Sequence, residues 1–108
     1  MEIWKPINSF PNYEISSEGR IRNSKGEIKI LQKNKGKHKE YYRVRLYNNT
    51  NKQKFYVHRL VAEHFYPNQW YPECYVMHLN GDGLDNRKEN LKVGTQSENM
   101  QQWWDEGI

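Results

Sequence analysis

The sequence predicts an α+β fold, with a small antiparallel β module in its first half and a strand, loop, strand and helix unit in its second. Three observations predict it. Apolar and polar residues alternate through "NYEISSEGRIRNSKGEIKIL" and "YYRVRLYN", the period of half-buried strands. "YVHRLVAEHFYP" then switches to the 3.6-residue period of an amphipathic helix. Beyond it two short runs, "ECYVMH" and "ENLKV", flank a stretch dense in Asn, Asp and Gly, which reads as two strands joined by a polar loop.

Composition bounds what such a fold can be. A chain of 108 residues has room for one modest core. Only 35% of the residues are apolar, so part of the ordering must come from aromatic and polar contacts or from a bound partner. Eight Tyr and four Trp are available for that, and they suit both a half-buried surface and stacking on nucleic acid. Cys74 is the single cysteine, which excludes a disulfide framework or a multi-cysteine zinc site, so no structural zinc is expected. No apolar run approaches a membrane span, and "MEIWKPINSF" lacks the layout of a signal peptide. The expectation is a soluble, cytoplasmic protein without a membrane partner.

The net charge of +4 is unevenly distributed. Residues 1–60 carry 14 Lys/Arg against 5 Asp/Glu, or +9, while residues 61–108 carry 3 against 8, or −5. This division suits one surface that holds a polyanion and another that holds a cation. Two solvated faces of opposite sign would look the same.

In chain order, the first alternating segment turns at Gly19 and Gly26, with Tyr13, Ile15, Ile21, Ile28 and Ile30 as inward candidates. "QKNKGKHKE" has no apolar residue and is expected as an exposed loop or hairpin tip. In "YYRVRLYN", Tyr42, Val44 and Leu46 share one face, and Tyr41, Arg43, Arg45 and Tyr47 the other. Two arginines interleaved with two aromatic rings suit a strand against a nucleic-acid backbone, or an ordinary half-exposed sheet. After the turn "NNTNKQ", "KFYV" should return as its partner.

The helix follows, with Val57, Leu60, Val61, His64 and Phe65 on one face and Pro67 as its stop. His64 on that apolar face reads as a hydrogen-bonded core histidine. His58, one position off the stripe, admits either a core or a functional role. Later, "TQSE" forms a capping box with Thr95 as N-cap, predicting a helix from about Gln96 to Trp104 or beyond. Trp103 and Trp104 are adjacent, so one of them can hardly face the core.

If the last two strands pair and the following helix packs across them, three side chains converge. His78 closes one strand, Asn90 opens the next, and Asn99 lies in the first turn of the following helix. Phosphodiester hydrolysis needs a base for water, charge stabilisation on the phosphoryl oxygens and help for the departing oxygen. Histidine, with an unperturbed pKa of about 6.5, suits the first task. A divalent metal supplies the other two, and an Asn amide oxygen is a suitable hard ligand for magnesium.

At this point the residues resemble a known family. "YVHRLVAEHFYPN" followed by "MHLNGDGLDNRKENLKVGTQSENM" resembles the HNH homing-type endonucleases of the ββα-metal superfamily, often phage- or intron-encoded. The preceding "EIWKPINSFPNYEISSEGRIRN" resembles the NUMOD4 module commonly found upstream of such nucleases. The resemblance implies a basic β module over residues 1–55 and an HNH ββα-metal nuclease domain over residues 56–108.

It also implies roles. His78 would be the general base, Asn90 the central asparagine that holds the loop and orients the histidine, and Asn99 a metal ligand. Arg87 could contact phosphate near the site. The residue before the base is often an Asp or another donor that binds the metal, and here it is Met77, whose thioether is a poor ligand for magnesium. Either Asn99, water and DNA phosphate hold Mg2+ (or Mn2+), with Asp82 or Asp85 helping, or the nuclease is weakened. Asp82 and Asp85 read first as turn residues that bond local amides and only second as ligands, and Asn86 as a loop-fixing residue rather than a ligand.

The function so read is a metal-dependent endonuclease that nicks or cleaves DNA. Arg20, Arg22, Lys33, Lys35, Lys37, Arg43 and Arg45 would grip phosphates with an affinity that falls with salt. The chain ends soon after "QQWWDEGI", so modest sequence specificity is expected. The alternative is an HNH-fold module that binds DNA or a host protein without cleaving. An RNA target is a weaker third reading. A monomer would nick and a homodimer could break both strands, with the Trp pair as a plausible interface.

Overall fold

In a computed structural model that describes residues 1–36 and 39–94, the first half of the chain forms two three-stranded antiparallel sheets. The first joins β1 (Trp4–Ile7), β2 (Phe10–Ser16) and β3 (Ile21–Asn23) in that order. Gly19 makes the β2–β3 turn possible: its φ of +85° is open to glycine at little cost. The buried Ser16 hydroxyl accepts the Glu18 and Arg20 N–H groups and fastens that turn.

The second sheet joins β4 (Gln32–Lys35), β5 (Glu40–Tyr47) and β6 (Lys52–Tyr56). Its central strand alternates as expected, with Val44 and Leu46 buried and Arg45 and Tyr47 exposed. β6 runs without a break into α1 (Val57–Phe65), and the Tyr66 N–H bonds back to the Ala62 carbonyl just before Pro67. A final hairpin pairs β7 (Tyr75–His78) with β8 (Leu91–Gly94), entered through a 3-10 turn at Lys88–Asn90.

The core ignores the expected boundary at residue 55. Ile7, Phe10, Ile15 and Ile21 from the first sheet meet Val44 and Leu46 from the second, Val57, Leu60 and Val61 from α1, and Leu91 from β8. Each such side chain stabilises the fold by about 1.5–3 kcal/mol on burial, and the helix packs with all three sheets in one shared core. His64 is the satisfied core histidine anticipated from its position. Its Nδ1 donates to the Leu60 carbonyl at 2.8 Å, and its Nε2 accepts the Asn8 N–H at 3.0 Å.

Two expectations are corrected. "QKNK" is a strand, because pairing with β5 satisfies its backbone regardless of side-chain polarity, and lysines blunt an edge strand against further pairing. Ile28 and Ile30 are exposed rather than inward, at 47% and 91%. Past Gly26 the chain leaves the first sheet after a single bridge between Arg22 and Ile28, so alternation no longer maps onto a core face. The helix expected from Gln96, with Asn99, Trp103 and Trp104, lies outside the described residues, as does Lys37. No helix among the described residues is long and apolar enough to cross a membrane.

Candidate active site

His78 ends β7 opposite Leu91 and is 1% exposed. Its Nε2 lies 2.8 Å from Asn86 Oδ1. An amide oxygen only accepts, so Nε2 carries the ring proton and the lone pair resides on Nδ1. That Nδ1 is buried and has no hydrogen-bond partner among the described residues. Burial pulls the His78 pKa below the ordinary histidine value, outweighing the Asn86 bond that raises it. Burial thus favours the neutral ring, whose Nδ1 has no partner among the described residues.

Two rings pack against it, and a third stands behind them. His58, at the start of α1, has its centroid 5.0 Å from that of His78, and Tyr41 of β5 lies 5.9 Å away. Tyr41 and Tyr56 in turn lie 5.2 and 5.5 Å from His58. Burial first, and repulsion from His78 next, push the His58 pKa down to about 3. The His58 Nδ1 is also buried without a partner among the described residues, so both readings of His58 stay chemically live. Lys39 stands nearby, its Nζ 5.8 Å from the Tyr41 ring centre.

The loop between the strands is held by its own polar side chains. Asn90 Oδ1 accepts the Asn80 N–H at 3.0 Å, and Asn90 Nδ2 donates to Asn80 Oδ1 and to the Asp85 carbonyl, both at 2.9 Å. Gly81, with φ of +77°, turns the chain just after His78. Asp82 Oδ1 accepts the Leu84 N–H, the turn role its residue type allows. Asp85 accepts two bonds from the Arg87 guanidinium at 2.8 Å and one from Asn80. Arg87 thereby holds the Asp85 carboxyl down at about 2.

These engagements bear on a metal. Among the described residues, no group of three or more His, Cys, Asp and Glu is placed to hold one. Asp85 is already engaged by Arg87 and Asn80, and Met77 is buried at 6% exposure with a soft sulfur. The remaining candidate ligand, Asn99, lies outside the described residues.

The sheet beside the site is basic on one face. Residues directly opposite across an antiparallel pair share a face, so Arg45 stands with Lys54, Arg43 with Tyr56, and Tyr47 with Lys52. Tyr41 continues this face toward His78. Lys33 and Lys35 pair with Tyr42 and Glu40 instead, so the expected phosphate contacts divide between two faces. Arg20 and Arg22 are ion-paired with Glu2 and Glu14, and Arg22 also lies 4.1 Å over the Trp4 ring. Sequence reasoning missed Lys52 and Lys54, although their spacing across the "NNTN" turn from Arg45 could have revealed them. It also missed the link from Asn86 to His78, which no spacing announces.

Comparison with known proteins shows what the chain is similar to. A family model described as HNH endonuclease matches residues 55–101, and the NUMOD4 motif matches residues 2–47. Two proteins of Acanthamoeba polyphaga mimivirus, both named as uncharacterized HNH endonucleases, are similar. One is 42% identical over 105 residues, covering 93% of this chain and 25% of the relative. The other is 44% identical over 92 residues, covering 82% and 26%. The chain thus spans about a quarter of the length of these relatives. A solved structure described as DNA binding and cleavage by the HNH homing endonuclease I-HmuI superposes with a TM-score of 0.79 at 28% identity, over 97% of this chain and 59% of that one.

Proposed function

Because the chain belongs to the HNH endonucleases and carries a NUMOD4 motif ahead of its HNH segment, we propose that it hydrolyses DNA phosphodiester bonds with His78 as the general base. One observation carries the reading: a buried imidazole whose Nε2–H is held by Asn86 and whose Nδ1 lone pair has no partner among the described residues. In the reaction, that lone pair takes a proton from water as the water oxygen forms its bond to phosphorus. The bond from phosphorus to the departing sugar oxygen then breaks, and that oxygen leaves with a proton from solvent. The Nε2–H···Oδ1 bond persists through the transfer and favours the resulting imidazolium. Asn90 keeps the loop closed around the base.

HNH nucleases generally use a divalent metal ion. When bound, the metal would neutralise charge on the phosphoryl and departing oxygens. Asn99 is the residue assigned to it by resemblance, with Mg2+ or Mn2+ as the suited ion and Asp82 or Asp85 as a helping carboxylate. DNA would lie along the face of Arg43, Arg45, Lys52 and Lys54, which leads to Tyr41 and the base. The viral origin of the two relatives is what favours a virus- or mobile-element-borne nuclease, and the host cytoplasm is the place of action this reading assigns.

Supercoiled plasmid incubated with the protein and Mg2+ or Mn2+ tests this. Conversion to the nicked or linear form that EDTA abolishes is expected. Retained DNA binding with no conversion under either metal would instead identify a binding module in which Met77 has cost the chemistry.

A further inference from the structure

We infer that the N-terminal module positions the base, acting from Gly19 through Asn86 onto His78. The inference rests on the reading of His78 as the base, but its geometry is independent of the reaction. Three contacts join the module to the loop. The Lys88 N–H donates to the Ser17 carbonyl at 2.8 Å. Gly83 is pressed against β5 so closely that a Cβ there would clash with the Glu40 carbonyl oxygen. A Cβ on Gly19 would stand 2.8 Å from the Cβ of Asn86 and 3.1 Å from its carbonyl oxygen.

Asn86 is therefore backed directly by the β2–β3 turn. It is 4% exposed, and its other side faces His78. Its oxygen decides which imidazole nitrogen bears the proton, so a displacement of Asn86 changes the tautomer as well as the placement of the base. A cavity of about 300 Å³ beside this contact, lined by Gly19, Leu31, Tyr42, Leu84 and Asn86, leaves Asn86 room to shift without unfolding the loop. The module is then a component of the active site and has a role separate from gripping DNA. Asn86 and Gly19 are positioning residues.

A built-in control isolates the effect. Gly26 has φ of +84°, matching the +85° of Gly19, but a Cβ there would meet nothing within 4 Å. Gly26→Ala and Gly19→Ala thus carry the same backbone strain, and only the second pushes on Asn86. The readouts are kcat and DNA affinity for both variants, and the imidazole nitrogen resonances of His78 by NMR. Gly19→Ala is expected to lower kcat about a hundredfold relative to Gly26→Ala, the scale of an ångström misplacement, with DNA affinity unchanged within about twofold. The proton should be confined to Nε2 in the native protein and in Gly26→Ala, and shared with Nδ1 in Gly19→Ala.

Asn86→Ala, which removes atoms and cannot clash, should show the same loss of tautomer preference even if Gly19→Ala does not fold. Asn86→Asp keeps an acceptor and should restore the Nε2–H form, and its charge should move the acid limb of the pH–rate profile upward. An unchanged Nε2–H tautomer in both Gly19→Ala and Asn86→Ala would overturn the inference. The tautomer is read without turnover, so absence of cleavage by the native protein would defeat the proposed function and leave this test intact.

Discussion

Replacing Asn90 separates the loop's architecture from its chemistry. Its side chain makes three hydrogen bonds and is 6% exposed, so water cannot readily replace them. At about 1 kcal/mol for each bond, Asn90→Ala should cost about 3 kcal/mol and lower the Tm by on the order of 12 °C. Asn90→Asp should be worse at neutral pH, although it retains the oxygen that accepts from Asn80. Its second oxygen would face Asn80 Oδ1 and the Asp85 carbonyl, where the native amide donates to both.

That carboxyl would be favoured in its protonated form, because a proton there restores one donor. Its folded pKa is thus raised above the unfolded value, so Asn90→Asp should regain stability at acid pH and lose it as pH rises through the folded pKa. Urea denaturation of the three proteins from pH 4 to 8 measures this. An Asn90→Asp protein as stable as the native one at pH 7, or one whose deficit does not shrink toward pH 4, would refute the hydrogen-bond assignment.

Leu46→Ala, at a fully buried site in the shared core, should cost about 2–5 kcal/mol and unfold both halves together in a single transition. His58 and His78 both titrate below their unfolded value of about 6.5. The unfolded chain therefore binds more protons below that pH, and stability present above pH 6.5 should be lost progressively as pH falls toward 3. In His58→Phe this acid loss should flatten, read by chemical denaturation at several pH values. Arg45→Ala and Lys54→Ala should each reduce the salt slope of DNA binding by about one, while Lys33→Ala, on the other face, should change it less.

Much of this molecule is legible in its sequence because the informative patterns are local. Alternation in "YYRVRLYN" assigned Val44 and Leu46 to the core, and the 3.6 period from Val57 located the helix and the satisfied His64. The same rule failed at Ile28 and Ile30, where alternation continues but the partner strand does not. It failed in the opposite sense at Gln32–Lys35, where a polar strand depends on hydrogen bonds supplied by β5. His58 could not be placed from its position one step off the apolar stripe, because its neighbours Tyr41 and His78 come from distant segments. The contact of Gly19 with Asn86 spans most of the described chain, and only the tertiary fold reveals why that turn needs a glycine. Family resemblance could name His78, but the tautomer of its ring follows from one amide oxygen, on Asn86, whose bond to the histidine the sequence does not announce.

The most direct measurement compares native protein and His78→Ala on the same supercoiled plasmid under single-turnover conditions with Mg2+, with DNA affinity measured in parallel. The account predicts metal-dependent strand cleavage by the native protein, a fall in rate of about a hundredfold or more in His78→Ala as expected for loss of a general base, and unchanged affinity for DNA. Equal cleavage by the two proteins would contradict it, and would place the base at another residue.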